Sequence, residues 1–311
     1  MGRCSIVNDT GFLYTAEKRL TTHPTGMIET SASPFATACA IAEQLVRARL
    51  SATALADFPG PIPADLDAAY AIQGAGIALW PDELAGWKVA RMSPEWRARL
   101  SEDRLVGPVF RTSIRVSAAR ESVDFPVFDG GFAAVEAEFI FRLNADAPTS
   151  KIAWSADETA RLDLTLHIGV ETAGSPLLSI NELGPPVIIS DFGNNNGLIL
   201  GPAIPGWRTR RLESMPSEVT IDGVPVGKGG ACSLPGGPVA GLAFALSRCA
   251  RNGRPLKAGD VVSTGATTGI HEIRIGQSSQ VAFGADGEIR CRAVRATPMN
   301  STTAGKAQAS C

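Results

Sequence analysis

Apolar positions along the chain follow two spacings, one helical and one strand-like. Between 37 and 50, Ile41, Leu45 and Val46 recur close to the period of a helix, and Glu43, Arg47 and Arg49 are assigned to its wet side. A Pro/Gly stretch at 58–63 breaks that pattern. A second helix is predicted over 65–80, with Asp65 as N-cap, and a short strand follows at Gly86-Trp87-Lys88-Val89-Ala90. From about residue 123 the spacing shortens to β-like runs separated by Gly, Pro and Asn: 134–143, 164–170, 186–190, 198–200, 219–221, 260–263 and 280–283. Two helices interrupt them. One opens on the capping box Ser155-Ala156-Asp157-Glu158, and the other runs over 238–252 and stops at Gly253. Many strands and few helices predict an α+β, mainly β chain with a roll or barrel-like core rather than an alternating βαβ sheet.

Within the run 134–143, Glu136 and Glu138 stand two residues apart, so both carboxylates leave the same face of the strand. A solvent-exposed face is one reading of such a pair. Against it, Val135, Ala137, Phe139 and Phe141 occupy the opposite face and anchor the strand in a core. Two like charges so close repel unless a cation lies between them, and hard oxygen ligands suit Mg²⁺ or Mn²⁺. A third acid, Glu171, ends the run Leu166-His167-Ile168-Gly169-Val170. Three carboxylates leave open positions on an octahedral dication, enough for a bidentate 2-oxo acid and a water. They also leave one net negative charge on the centre, so an anionic substrate needs a further cation. Lys88 is the candidate, although its spacing alone describes an exposed lysine. By parity His167 shares a face with Glu171. It reads either as a hydrogen-bonded core histidine or as a support for the metal ligand. His271 follows a Thr-Thr-Gly turn and reads as a surface loop or a pocket border.

Bulk properties narrow the classes. The chain has 311 residues, 44% hydrophobic and 19% charged, with a formal net charge of −2. That balance fits a globular protein and argues against a nucleic-acid footprint or a polybasic membrane anchor. No apolar run reaches the ~18 residues of a spanning helix. Six cysteines (Cys4, Cys39, Cys232, Cys249, Cys291, Cys311) show no C-x-x-C pair and read as reduced thiols of a cytoplasmic protein. Residues 1–34, polar and without an apolar signal region, are expected to be a disordered leader, with Met27 a candidate initiator; 298–311 are expected to be a disordered tail. Between them, 35–115 reads as an N-terminal helical and strand region and 116–297 as the metal-binding domain. The Gly-rich Gly227-Lys228-Gly229-Gly230 lacks nucleotide-loop spacing and reads as a β-turn.

Several segments resemble the 2-keto-4-pentenoate hydratase branch of the fumarylacetoacetate hydrolase superfamily. They are Asp67-Ala68-Ala69-Tyr70-Ala71-Ile72-Gln73, Gly86-Trp87-Lys88-Val89, Val135-Glu136-Ala137-Glu138-Phe139, Glu171-Thr172-Ala173-Gly174-Ser175 and 253–265, all in family order. The resemblance implies a fumarylacetoacetate hydrolase-like β-roll core with a smaller N-terminal helical region. It also implies a homo-oligomer and Mg²⁺ or Mn²⁺ held by Glu136, Glu138 and Glu171. The substrates it implies are 2-oxo or 2-hydroxydienoic acids from aromatic catabolism. Lys88 would then be catalytic and would contact the substrate, and Ser175, Thr264 and Gly265 would line its pocket. The implied reaction is addition of water to a 2-hydroxy-2,4-dienoate.

Three departures stand out. Thr112 occupies the place of an acid tied to proton transfer, Pro176 replaces an arginine, and Asp191-Phe192-Gly193-Asn194-Asn195-Asn196-Gly197 replaces a segment rich in Ala and Ser. Related hydrolases activate water with an N-terminal histidine, and no histidine lies between Pro24 and Leu166. Decarboxylation of a 2-oxo-enedioate is the alternative reaction, with Arg111 as a contact for the second carboxylate. A non-catalytic partner subunit is the alternative outside enzymes.

Overall fold

The computed structural model describes residues 33–118 and 121–299. The expected leader and tail therefore fall outside the described residues, apart from 33–34 and 298–299. In chain order the first elements are helices α1 (Pro34–Leu50) and α2 (Leu66–Leu79), strand β1 (Leu84–Arg91) and helix α3 (Pro94–Leu100). Strands β2 (Arg104–Phe110), β3 (Ile114–Val116), β4 (Ser122–Val127) and β5 (Phe132–Leu143) follow, then helix α4 (Ala156–Ala160) and strand β6 (Leu164–Ser175). Helices α5 (Ile180–Leu183) and α6 (Pro185–Ser190) lead to strands β7 (Asn195–Ala203), β8 (Pro216–Ile221) and β9 (Val224–Gly230). Helix α7 (Gly237–Arg251) precedes the last strands, β10 (Val261–Ser263), β11 (His271–Glu272), β12 (Ser278–Ala282) and β13 (Glu288–Arg295).

The strands form two mixed sheets. One has the order β2-β1-β10-β5-β6-β7-β3, with β11 paired to β5; the other has the order β4-β13-β12-β8-β9. The first takes strands from both sides of residue 115, because β1 lies parallel to β10 and β3 lies parallel to β7. Its spine is the antiparallel ladder of β5 and β6, unbroken from Phe132↔Ser175 to Leu143↔Leu164.

Strict alternation on β5 builds the main core. Val135, Ala137, Phe139, Phe141 and Leu143 all enter one apolar cluster with Trp87, Phe125, Val219, Leu242, Phe283 and Ile289. Phe139 meets Phe283, the residue just after β12 of the second sheet, edge to face, with ring centroids 5.6 Å apart. The intervening positions, among them Glu136 and Glu138, face the other way, which is how a core-anchored strand comes to carry acids.

Local signals explain the helix ends. Ser33 accepts from the Ala36 N–H and Asp65 accepts from the Ala68 N–H, and Ser155 with Glu158 completes the predicted capping box. Three expectations change. The run 186–190 is helix α6 rather than a strand. Pro185 and Pro186 cannot donate to a ladder but fit a first helical turn, and Val187 and Ile189 are buried from that helix. The Gly-rich 227–230 is part of edge strand β9, and the hairpin turn lies earlier, where Asp222 and Gly223 take positive φ of 49° and 80°. Arg49, assigned to the wet side of α1, is buried at 5% exposure on the same stripe as Ile41, Ala42 and Leu45. No described helix is long and apolar enough to cross a membrane.

Candidate metal centre

In the β5–β6 ladder Glu136 stands directly opposite Glu171, and Glu138 opposite Gly169. Backbone pairing therefore brings the three carboxylates together, with one oxygen of each within 4.8 Å of the others. Glu138 and Glu171 are fully buried, and Glu136 is 5% exposed. Strand β10, beside β5, places Ser263 next to Ile140, and β1 places Lys88 next to Ser263. From there the Lys88 Nζ reaches Glu171 Oε1 at 3.1 Å.

Each acid is held differently. Glu171 Oε1 also accepts from Asn195 Nδ2 at 3.1 Å, and Oε2 accepts from Ser263 Oγ at 3.3 Å. Glu138 Oε2 accepts from the Gly265 N–H at 2.6 Å. Gly265 holds φ at 125°, a conformation open to glycine and strained for other residues. The second oxygen, Glu138 Oε1, is buried with no hydrogen-bond partner among the described residues.

The electrostatics follow from burial. Glu136 is pushed up to about 8, first by desolvation and then by Glu171, with Lys88 opposing. Burial, Glu171 and Glu136 drive Glu138 well above the ordinary carboxylate range, against the Gly265 bond and Lys88. Burial pulls the Lys88 ammonium down, but Glu171, Glu136, the bond to Glu171 and Glu138 outweigh it and leave its pKa raised. Ionising all three carboxylates against one ammonium would leave two uncompensated negative charges in a buried site, which is why Glu136 and Glu138 hold their protons so tightly without a cation. A dication with oxygen preference fits this donor set, and the partnerless Glu138 Oε1 is the atom most in need of one.

Other expected residues stand elsewhere in the fold. Thr264 donates its hydroxyl to the Phe139 carbonyl at 2.8 Å, in the same turn as Gly265. Ser175 donates to Asp191 Oδ2 at 2.5 Å and accepts from the Leu177 N–H, a bonding pattern that does not include the three glutamates. Arg111 is exposed and binds Glu83 through Nε and Nη2, and exposed Thr112 donates through N–H and hydroxyl to Asp82 Oδ2. His167 Nδ1 lies 3.0 Å from the Gly201 carbonyl, the hydrogen-bonded histidine of the two readings. His271 pairs with Val135 through its backbone and meets Thr268 Oγ1 through Nε2.

Sequence reasoning missed Asn195, Ser263 and the buried Arg49–Asp191 pair. Ser263 was legible in principle, since it precedes the Thr264-Gly265 turn. Asn195 was not, because its bond to Glu171 depends on how β7 returns to β6.

No protein-family model matches the chain, and no curated protein does either. Solved structures do. The 4-oxalocrotonate decarboxylase from Pseudomonas putida G7, complexed with magnesium and adipate, superposes with a TM-score of 0.66 at 18% identity, over 83% of this chain and 97% of that one. The same enzyme complexed with calcium and acetate gives the same values. Fumarylpyruvate hydrolase from Pseudomonas aeruginosa, in complex with Mn²⁺ and pyruvate, gives a TM-score of 0.51 at 13% identity, over 68% and 90%. At such identities the likeness is one of fold, and that fold, an α+β and mainly β fumarylacetoacetate hydrolase-like roll, is the fold of this chain.

Proposed function

We propose that this chain is a divalent-metal-dependent lyase that adds water to a 2-hydroxy-2,4-dienoate, with Mg²⁺ or Mn²⁺ held by Glu136, Glu138 and Glu171. The observation carrying this reading is the buried trio with its partnerless Glu138 Oε1, set against the equally buried Lys88. When bound, the dication supplies Lewis-acid polarisation of the substrate's C2 oxygen and a seat for its C1 carboxylate.

The chain's own residues do the rest. Lys88 is the catalytic side chain, a fixed ammonium in a dry site that stabilises negative charge developing on the enolate oxygen. It is also the proton carrier nearest the carboxylates. The enol loses its O–H proton as C5 gains one; water then bonds to C4 through oxygen while its proton goes to C3. Asn195 and Ser263 hold the two oxygens of Glu171, and the Gly265 N–H holds Glu138, so the acids do not reorient when charge moves. Thr264 and Gly265 form the turn that borders the substrate, and Ser175 acts through Asp191. The substrate is a small 2-oxo or 2-hydroxydienoic acid of aromatic catabolism, and the working form is a homo-oligomer.

Two observations favour decarboxylation of a 2-oxo-enedioate as the second reading. Thr112 is exposed and bonded to Asp82, which leaves Lys88 without the extra acid that hydration would use. The structure with TM-score 0.66 is a decarboxylase holding adipate, a dicarboxylate. In that reaction the bond to the distal carboxylate breaks, CO₂ leaves, and the electron pair runs through the conjugated chain to the C2 oxygen.

One experiment separates the readings. Purified protein with Mg²⁺, and an EDTA control, is given 2-hydroxypenta-2,4-dienoate or 2-oxohex-3-enedioate, with ultraviolet loss and products followed. Metal-dependent 4-hydroxy-2-oxopentanoate from the dienol supports the first reading. Dienol and CO₂ from the enedioate alone replace it with the second. No turnover, together with no Mn²⁺ binding near millimolar, leaves the non-catalytic partner.

A further inference from the structure

Helix α1 sends one charged side chain into the interior. Arg49 Nε donates to Asp191 Oδ1 at 2.5 Å, Nη1 to the Asn195 carbonyl at 3.0 Å, and Nη2 to the carbonyls of Gly174 at 3.0 Å and Asp191 at 3.1 Å. The guanidinium also lies over the rings of Phe192 and Phe128, 5.2 and 5.7 Å from their centroids. One side chain thereby ties the end of β6, the start of β7 and the turn between them. The other oxygen of Asp191 takes the Ser175 hydroxyl, which locks the carboxylate from the far side.

That turn is unusual. Phe192, Gly193 and Asn194 take φ of 55°, 67° and 60° in succession, two of them residues with side chains. Such a run persists only where the surroundings over-determine it. Its middle residue approaches Lys88, and the residue after it reaches Glu171. A Cβ on Gly193 would lie 2.7 Å from Gly107 Cα and 3.3 Å from Lys88 Cδ, so the turn's backbone is the wall against which the Lys88 stem rests. Asn195, the next residue after the turn, bonds the same Glu171 oxygen that Lys88 does.

We propose that Arg49 is a positioning residue for this site: through the turn at 191–195 it sets Asn195 on Glu171 and fixes the wall behind Lys88. The inference rests on the proposed metal-binding role of the trio. A buried ion pair is a poor means of gaining stability, since apolar residues of like volume often serve as well or better. What the forked guanidinium adds is geometry, because its donors fix three separate backbone carbonyls relative to one another.

The test is Mn²⁺ binding by calorimetry, with the electron paramagnetic resonance spectrum of the bound ion, on the full chain. Wild type is compared with Arg49→Lys, Asn195→Ala and the double variant, and each is melted without metal. Arg49→Lys keeps the charge and loses the fork. The expected result is an Mn²⁺ affinity about tenfold lower and an altered spectrum in each single variant, in line with other partners that orient metal ligands. The double variant should lie close to the singles, since both cut one path. Where Arg49→Lys does not fold, Asp191→Asn, which keeps an acceptor oxygen, carries the same expectation. Arg49→Lys with wild-type affinity and spectrum but a lower melting temperature overturns the inference, as does a double variant whose loss is the product of the two. Wild-type protein that binds no Mn²⁺ overturns the metal reading and this inference with it.

Discussion

Replacing Glu136 by glutamine tests the electrostatics of the trio without touching the fold. In the metal-free chain Glu136 is pushed from 4.5 up to about 8. A carboxyl that holds its proton more tightly when folded contributes nothing adverse below pH 4.5. It then destabilises the folded chain increasingly as pH rises towards 8, because ionisation is easier in the unfolded chain. The full span corresponds to a penalty on the order of 5 kcal/mol above pH 8. Glutamine keeps the shape and removes the charge. Metal-free Glu136→Gln should therefore match wild type at pH 4.5 and exceed it increasingly through pH 8, by roughly 10 °C in melting temperature at about 2–4 °C per kcal/mol. Mn²⁺ should narrow that difference at pH 8. At a hundredfold excess over its dissociation constant it stabilises wild type by about 2.7 kcal/mol, and the variant by much less. The assay is thermal melting from pH 5 to 9, with EDTA and with Mn²⁺. Parallel pH profiles for the two metal-free proteins, or a wild-type chain that gains stability over the variant as pH rises, would refute the assignment of a buried, mutually repelling trio.

Other outcomes follow from the same geometry. Lys88→Met should lower kcat by about 10²–10⁴ while leaving the Mn²⁺ spectrum recognisable, since the ammonium acts on substrate charge; turnover and calorimetry together check this. Gly265→Ala should weaken Mn²⁺ binding and destabilise the chain by about 1–3 kcal/mol, because φ of 125° is strained for alanine and the N–H on Glu138 would shift; calorimetry and melting read both effects. Phe139→Ala, which removes the ring meeting Phe283, should destabilise the chain by about 3–5 kcal/mol in denaturant unfolding. Mn²⁺ uptake should release protons and tighten as pH rises through 8, where Glu136 ionises, as calorimetry in buffers of different ionisation heat would show.

What was legible in the sequence was local. Alternation along 134–143 separates Glu136 and Glu138 from Val135, Ala137 and Phe139, because successive strand side chains take opposite faces whatever the partner strand. The caps at Asp65 and Ser155 were readable for the same reason, since each bond spans three residues. Where composition stood in for geometry, the reading went astray. Arg49 follows Leu45 by four residues on the apolar stripe of α1, yet its charge suggested water; partners far along the chain, Asp191 and the carbonyls of Gly174 and Asn195, make its burial tolerable. The run at 186–190 reads as a strand by its aliphatic residues, but two prolines and a place against α2 make it a helix.

The tertiary structure alone decided what surrounds the acids. Ser263 meets Glu171 because β10 runs beside β5, Asn195 because β7 returns antiparallel to β6, and Lys88 because β1 lies parallel to β10. Arg111 and Thr112 went the other way, drawn outward to Glu83 and Asp82 at the end of β2. Periodicity determines which face a side chain leaves, since that depends on backbone geometry within a few bonds. Which groups then meet across that face depends on strand order and register, and these are set by the packing of the whole core.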